Sequence, residues 1–174
     1  MNLQLIKASA DNIFTIQSLA CRIWQVAYLP IIGQKQIDYM LQMMYSLDAM
    51  RLQMERGHQF YLIQAEGENV GFMGIESKNE VNLHSTPERE LFIHKFYIDN
   101  GKQRSGIGSK VFVLMLESQS IVSEVRLQVN RLNYKAINFY FKLGFVIEKV
   151  ADFDIGGGYF MNDFIMLWRR NQQV

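Results

Sequence analysis

The chain has almost no cysteine and no surplus of either charge, and it lacks an apolar run long enough to cross a membrane. Its one cysteine, Cys21, forms no intramolecular disulfide. With histidines scattered at His58, His84 and His94 it matches no metal-ligand spacing, which sets aside disulfide scaffolds and zinc sites. Lys and Arg number 18 and Asp and Glu 17, a formal net charge of +1 with no block of one sign. A protein that neutralises many phosphates carries a basic excess, so no nucleic-acid partner is expected. Gln4 and Lys7 interrupt the N-terminal apolar stretch, and runs such as Val111 to Leu116 fall far short of the ~20 residues of a spanning helix. No membrane partner is expected, and the chain reads as a soluble cytoplasmic protein without internal repeat, linker or low-complexity tract.

What is present is apolar residues, at 49% of the 174 positions with 13% aromatic, too many for a disordered chain and enough for one compact core. A single domain spanning residues 1–174 is expected. A short strand around Leu3 to Ile6 precedes Ser9, an N-cap candidate, and Asp11, an acidic first-turn residue. Ile13, Ile16, Ala20, Ile23 and Ala27 then recur at helical spacing until Pro30, which should stop the run. Ile37, Met40, Leu41 and Met44 mark a second helix, and Leu47 to Arg56 a third.

From Gln59 the period shortens. Gln59 to Ala65 and Val70 to Glu76 flank the turn-forming Glu66-Gly67-Glu68-Asn69, a hairpin signature. A strand over Leu91 to Ile98, a Gly-containing loop, a helix from Ile107 to Ser120 and a strand Val125 to Val129 describe a βαβ crossover with parallel strands. A helix from Asn133 to Leu143, ended by Gly144, and two strands, Phe145 to Phe153 and Tyr159 to Trp168, complete the chain, the two strands separated by Ile155 to Gly158. The expected class is α/β (α+β mixed), with a central mixed sheet of about six to seven strands flanked by helices.

The segment Gln103-Arg104-Ser105-Gly106-Ile107-Gly108-Ser109-Lys110 opens a helix directly after a strand. At a helix N-terminus the first backbone N–H groups lack internal partners and the dipole favours negative charge, so glycines that admit close approach make a pyrophosphate cradle. A dinucleotide fingerprint would need a third glycine where Val111 stands, and a P-loop would need Gly-Lys-Ser/Thr where Gly108 is followed by Ser109. A tight turn with no ligand stays open on these glycines alone.

Gln103-x-x-Gly106-x-Gly108 followed by Leu127-x-Val129-x-x-x-Asn133-x-x-Ala136-x-x-x-Tyr140-x-x-x-Gly144-Phe145 resembles the two cofactor-binding motifs of the GCN5-related N-acetyltransferase (GNAT) superfamily. Ser105 departs from the glycine frequent there, a small-for-small exchange. The resemblance implies a GNAT-like acyl-CoA N-acyltransferase fold, its sheet splayed in the middle. It also implies acetyl-CoA as co-substrate and transfer of the acetyl group to a primary amine by direct attack on the thioester. Pyrophosphate would sit on the backbone of Gln103, Arg104, Ser105, Gly106, Ile107, Gly108 and Ser109, and pantetheine would run along Phe96, Tyr97 and Ile98. Strand N–H and C=O groups left unpaired by splayed ends suit such an amide-bearing arm.

Tyr140 matches the tyrosine that lies near the CoA sulfur in the family and is proposed to protonate it. With a phenol pKa of about 10 against ~8.5 for a thiol it needs environmental help, and packing is the competing role for one of three consecutive helix aromatics. Asn133 combines an N-cap position with a family contact to the cofactor. Lys142 reaches toward a CoA phosphate or stays solvated at its helix end. Alternation puts Phe92, His94, Phe96 and Ile98 on one strand face, and the ordinary histidine pKa of about 6.5 suits His94 to proton removal at neutral pH. A satisfied core histidine is the other reading of His94. Some family members use a histidine at this position as a base; the glutamate others place two residues earlier is Phe92 here.

For the acceptor, Ala151 to Met166 resembles the corresponding segment of PaiA-like spermidine and spermine acetyltransferases. Asp152 and Asp154 would attract a polycationic amine, if they are not simply a solvated acidic turn, and Tyr28 would line the pocket, if it is not core. A small-molecule amine acceptor, with polyamines the class this resemblance suggests, competes with a protein or peptide N-alpha-acetyltransferase activity and with a non-catalytic acyl-CoA-binding sensor. A monomer and a homodimer both agree with the sequence.

Overall fold

The computed structural model describes residues 2–79, 89–102, 106–119 and 122–170. Its strands stand in the hydrogen-bonded order β1-β2-β3-β4-β5-β7-β6, seven in one mixed sheet. By backbone proximity the chain divides into two compact units: Met1–Glu76 with Lys95–Gln119, and Ser77–His94 with Ser120–Val174.

The first unit begins with β1 (Leu3–Lys7), after which Ser9 and Asn12 form a capping box. The Ser9 hydroxyl accepts from the Asp11 amide at 3.3 Å, and the Ser9 amide donates to Asn12 Oδ1 at 2.9 Å. This short turn leads into α1 (Ile13–Ala27), whose buried stripe of Ile13, Ile16, Ala20 and Ile23 is the helical period read from the sequence, with Leu19 and Trp24 added. The expected stop at Pro30 is corrected. Helix α1 ends at Ala27, and Pro30 falls in the first turn of α2 (Leu29–Tyr45), where a missing N–H leaves no hydrogen bond unmade. Gly33, at φ +73°, then kinks α2. Ser46 caps α3 (Leu47–Glu55).

β2 (Gln59–Ala65) pairs antiparallel with β1 and with β3 (Glu68–Asn79). Glu66 and Gly67, at φ +51° and +81°, form the turn, a left-handed pair that matches the right-handed twist of the hairpin. The final residues of β4 (Arg89–Ile98) lie beside β3, the Asp99 amide bonding Val70 O at 2.8 Å. Gly71 is required there, because a Cβ would stand 2.2 Å from Tyr97 O. Helix α4 (Ile107–Ser118) buries Ile107, Val111, Phe112 and Met115 and packs on β1.

In the second unit the earlier part of β4 runs parallel to β5 (Val122–Asn130), as the crossover motif requires. β5 pairs antiparallel with β7 (Tyr159–Arg169), and β7 with β6 (Val146–Gly156). β6 continues through Gly156, further than the sequence pattern indicated, leaving only Gly157 and Gly158, both at positive φ, to turn the chain. Arg126 knits three strands, its guanidinium 2.9 Å from carboxylates of Glu90, Glu124 and Glu148. Helix α5 (Tyr134–Lys142) starts at the expected cap: Asn133 Oδ1 accepts from the Ala136 amide at 3.2 Å. No described helix is long and apolar enough to cross a membrane.

Candidate active site

The start of α4 is the segment expected to meet a pyrophosphate. Gly106 occupies the N-cap in the left-handed region at φ +77° and has no side chain to cap with, so among the described residues the first amides have no side-chain acceptor. A Cβ on Gly106 would meet nothing within 4 Å, so this glycine answers a backbone need and not crowding. Ile107 is buried and anchors the turn, Gly108 is half-buried and Ser109 is exposed. Gln103, Arg104 and Ser105 lie outside the described residues. Phe96, Tyr97 and Ile98, the strand expected to carry pantetheine, are half-buried at the end of β4.

In the second unit the β4–β5 register ends at Ile93↔Leu127, while Gln128, Val129 and Asn130 continue in pairing with β7. On the β4 side these three residues have no ladder partner among the described residues. Only alternate residues of an antiparallel strand turn their backbone away from the partner: Val129 bonds toward β7 and Asn130 O accepts from the Asn133 amide at 2.9 Å, which leaves Gln128 N–H and C=O and the Asn130 N–H on the β4 side.

Cross-strand partners share a face, which sorts the side chains. Phe92 stands opposite Arg126, and Gln128 and Asn130 stand opposite Ile165 and Asp163, so His94 belongs to the face of Arg126, Gln128, Asn130 and Asp163. The His94 ring lies 4.7 Å from Phe92 and is half-buried. Val125, Leu127 and Val129 point the other way, with Trp168, whose ring approaches Gly144 just beyond α5. Tyr140 is therefore on the opposite side of the sheet from His94. It is 8% exposed and packs against Phe139 and Phe145 at 5.4 and 5.5 Å. Lys142 is exposed in the last turn of α5.

Tyr28 is the C-cap of α1, half-buried in an aromatic cluster of the first unit: 4.8 Å from Trp24 and 6.3 Å from Tyr97, which in turn lies 5.3 Å from Phe72. Tyr45 closes this cluster, 5.7 Å from Trp24, its phenol pKa pushed up by burial and then by the Tyr28 phenol. Asp152 is held by Arg131 and by Asn162 Nδ2, both on Oδ1, and Asp154 Oδ1 accepts from the Gly156 amide at 2.8 Å, closing the hairpin end.

Two buried titratable groups were not selected from the sequence. Lys95, 6% exposed, donates to Gln53 Oε1 at 2.6 Å and lies 5.5 and 5.3 Å from the Tyr45 and Phe60 ring centroids; burial lowers its pKa to about 8. It also helps lower the pKa of His58, for which burial is the larger cause. Asp163, 4% exposed, has its pKa raised to about 6, chiefly by burial and against the pull of Arg131. The available signal was alternation. Lys95 interrupts the apolar face of Leu91 and Ile93, and Asp163 that of Ile165 and Leu167.

A sequence profile of the Acetyltransferase (GNAT) domain matches residues 56–147, more than half of the chain. The chain belongs to the GNAT family and is an acetyl-CoA-dependent N-acetyltransferase, with acetyl-CoA as its co-substrate. Solved structures share its fold. The PaiA N-acetyltransferase of Thermoplasma acidophilum, in complex with coenzyme A, is 22% identical over 97% of this chain and 99% of its own, with a TM-score of 0.73. An acetyltransferase from Thermus thermophilus is 14% identical over 97% of each chain, at a TM-score of 0.67. Arabidopsis thaliana Naa50, in complex with the bisubstrate analogue CoA-Ac-MVNAL, is 16% identical over 97% of this chain and 99% of its own, at a TM-score of 0.62. A search of curated protein sequences returns no match.

Proposed function

We propose that residues 1–174 act as a single acetyltransferase domain whose acceptor is a primary amine of a small cationic molecule, with polyamines the favoured class. The observation that carries this reading is the division of labour across the β5–β7 sheet. A phenol, Tyr140, belongs to the α5 side, while an imidazole, His94, and a buried carboxylate, Asp163, belong to the other.

Acyl transfer forms a C–N bond, breaks the C–S bond, removes a proton from the amine and returns one to sulfur. Two proton-handling groups on opposite sides suit that traffic, since the amine and the departing thiolate leave the carbonyl carbon in different directions. In this reading the uncapped amides of Gly106, Ile107, Gly108 and Ser109 hold the pyrophosphate together with Gln103, Arg104 and Ser105. The backbone of Phe96, Tyr97 and Ile98 takes the pantetheine arm, and a backbone N–H of that β4 segment polarises the acetyl oxygen. Asn133 and Lys142 add polar and phosphate contacts. His94 accepts the amine proton and Tyr140 supplies the proton to sulfur. Tyr28, with Tyr97, forms an aromatic wall suited to a cationic alkyl acceptor.

Asp152 and Asp154 serve this acceptor site indirectly, since their side chains already stabilise Arg131, Asn162 and the hairpin turn. A peptide acceptor is the second reading, favoured by the likeness to Naa50 carrying a peptide-linked CoA analogue. The deciding experiment is thiol release from acetyl-CoA over a panel of polyamines, amino acids and N-terminal peptides. Turnover highest on polyamines supports the first reading, turnover highest on peptides the second. Acetyl-CoA binding with no thiol released by any amine makes the protein an acyl-CoA sensor.

A further inference from the structure

Asp163 sits where β7 is flanked on both sides, opposite Asn130 of β5 and Ala151 of β6. The residue is 4% exposed, its carboxyl accepts no hydrogen bond and joins no ion pair among the described residues, and its oxygens keep contact with solvent. The nearest cation, Arg131, is already engaged by the neighbouring Asp152, which also takes the amide of Asn162. Arg126, the other guanidinium of that face, is saturated by Glu90, Glu124 and Glu148. A carboxyl in a largely buried residue, with no internal donor and its oxygens still reached by solvent, is placed to take a cation that arrives from outside. Asp163 shares its face with Asn130 and Gln128, the two polar residues of β5 beyond the end of its pairing with β4, and with His94.

From this geometry we propose that Asp163 is the specificity-determining carboxylate that binds the ammonium group of the acceptor, and that the acceptor is for this reason a cation. The proposal rests on the acetyltransferase reading above and deepens it. An alkylammonium ion supplies both the positive charge and the N–H donors that the carboxyl lacks inside the protein. Gln128, on the same face, carries an amide oxygen able to accept a remaining ammonium hydrogen, and Asn130 Oδ1 keeps one lone pair beside its 2.9 Å bond from the Leu132 amide. A neutral acceptor gains nothing from this arrangement.

The test is calorimetric titration of spermidine into the protein loaded with coenzyme A, for wild type, Asp163→Asn and Asp163→Glu, so that binding is read without turnover. Expected is a Kd raised at least tenfold in Asp163→Asn and partly recovered in Asp163→Glu, with unchanged affinity for coenzyme A. The urea midpoint of Asp163→Asn at pH 7.5 should not fall, because the substitution removes an uncompensated charge and no internal bond. A spermidine Kd within twofold of wild type in Asp163→Asn, a lowered urea midpoint, or no heat from spermidine with wild type overturns the proposal. Heat that depends on Asp163 without any thiol released upholds it and instead sinks the catalytic reading.

Discussion

Replacing Lys95 by Met isolates what it takes to bury an ammonium group in the first unit. The side chain is 6% exposed, and burial lowers its pKa from 10.5 to about 8. At 1.36 kcal/mol per pKa unit, the ionised form is disfavoured in the folded protein by about 3 kcal/mol relative to the unfolded chain. The folded state holds fewer protons than the unfolded state between these two pKa values, so stability rises with pH across that window. The penalty is full below about pH 8. It is relieved as the lysine neutralises in the folded state, and is gone near the unfolded pKa of about 10.4. Met fills a similar volume without the charge. The Gln53 amide nitrogen keeps its bonds to Met44 O and Ala49 O at 2.7 and 3.0 Å, and only Gln53 Oε1 loses a donor. Urea unfolding of wild type and Lys95→Met from about pH 7 to about pH 10.5 is the assay; other titrating groups cancel in the difference. The difference in unfolding free energy should move by about 3 kcal/mol in favour of wild type as pH rises. A difference constant to within about 0.5 kcal/mol would refute the assignment of the buried charge.

Tyr140→Phe keeps the ring packed against Phe139 and Phe145 and removes only the hydroxyl, so kcat should fall about 100-fold while the Kd of acetyl-CoA stays put; an undiminished rate removes it from the mechanism. His94→Ala should lower activity and abolish the acidic limb of the pH–rate profile, and a loss that leaves the limb in place assigns His94 to packing against Phe92 instead. Gly106→Val forces a β-branched residue into the left-handed region at φ +77°, which costs about 1–2 kcal/mol. Calorimetry should then give coenzyme A affinity weakened about tenfold, and unchanged affinity would show that the α4 amides do not hold the pyrophosphate.

Much of the fold was legible because its signals are local. Ser9 and Asn133 are N-caps that bond within three residues, and Glu66-Gly67 is a turn whose backbone angles follow from its residue types. The parallel β4–β5 pair followed from the strand-helix-strand order, since that connection has one favoured hand. Pro30 was misread because a proline is equally at home ending one helix and opening the next, and only the placement of Tyr28 as the α1 cap separates the two.

The sequence by itself determined the order of elements, the family motifs and the face on which His94 lies, all set by period, caps and short spacing. The tertiary structure decided what the isolated charges do. Asp152 and Asp154 looked free in the sequence and are occupied, through Arg131, Asn162 and the Gly156 amide. Lys95 and Asp163 looked like ordinary strand residues and are buried charges. The physical reason is that a carboxylate's environment depends on which strands flank it and which cations those strands have already committed, and pairing partners such as Asn130 and Asp163 are distant in the chain.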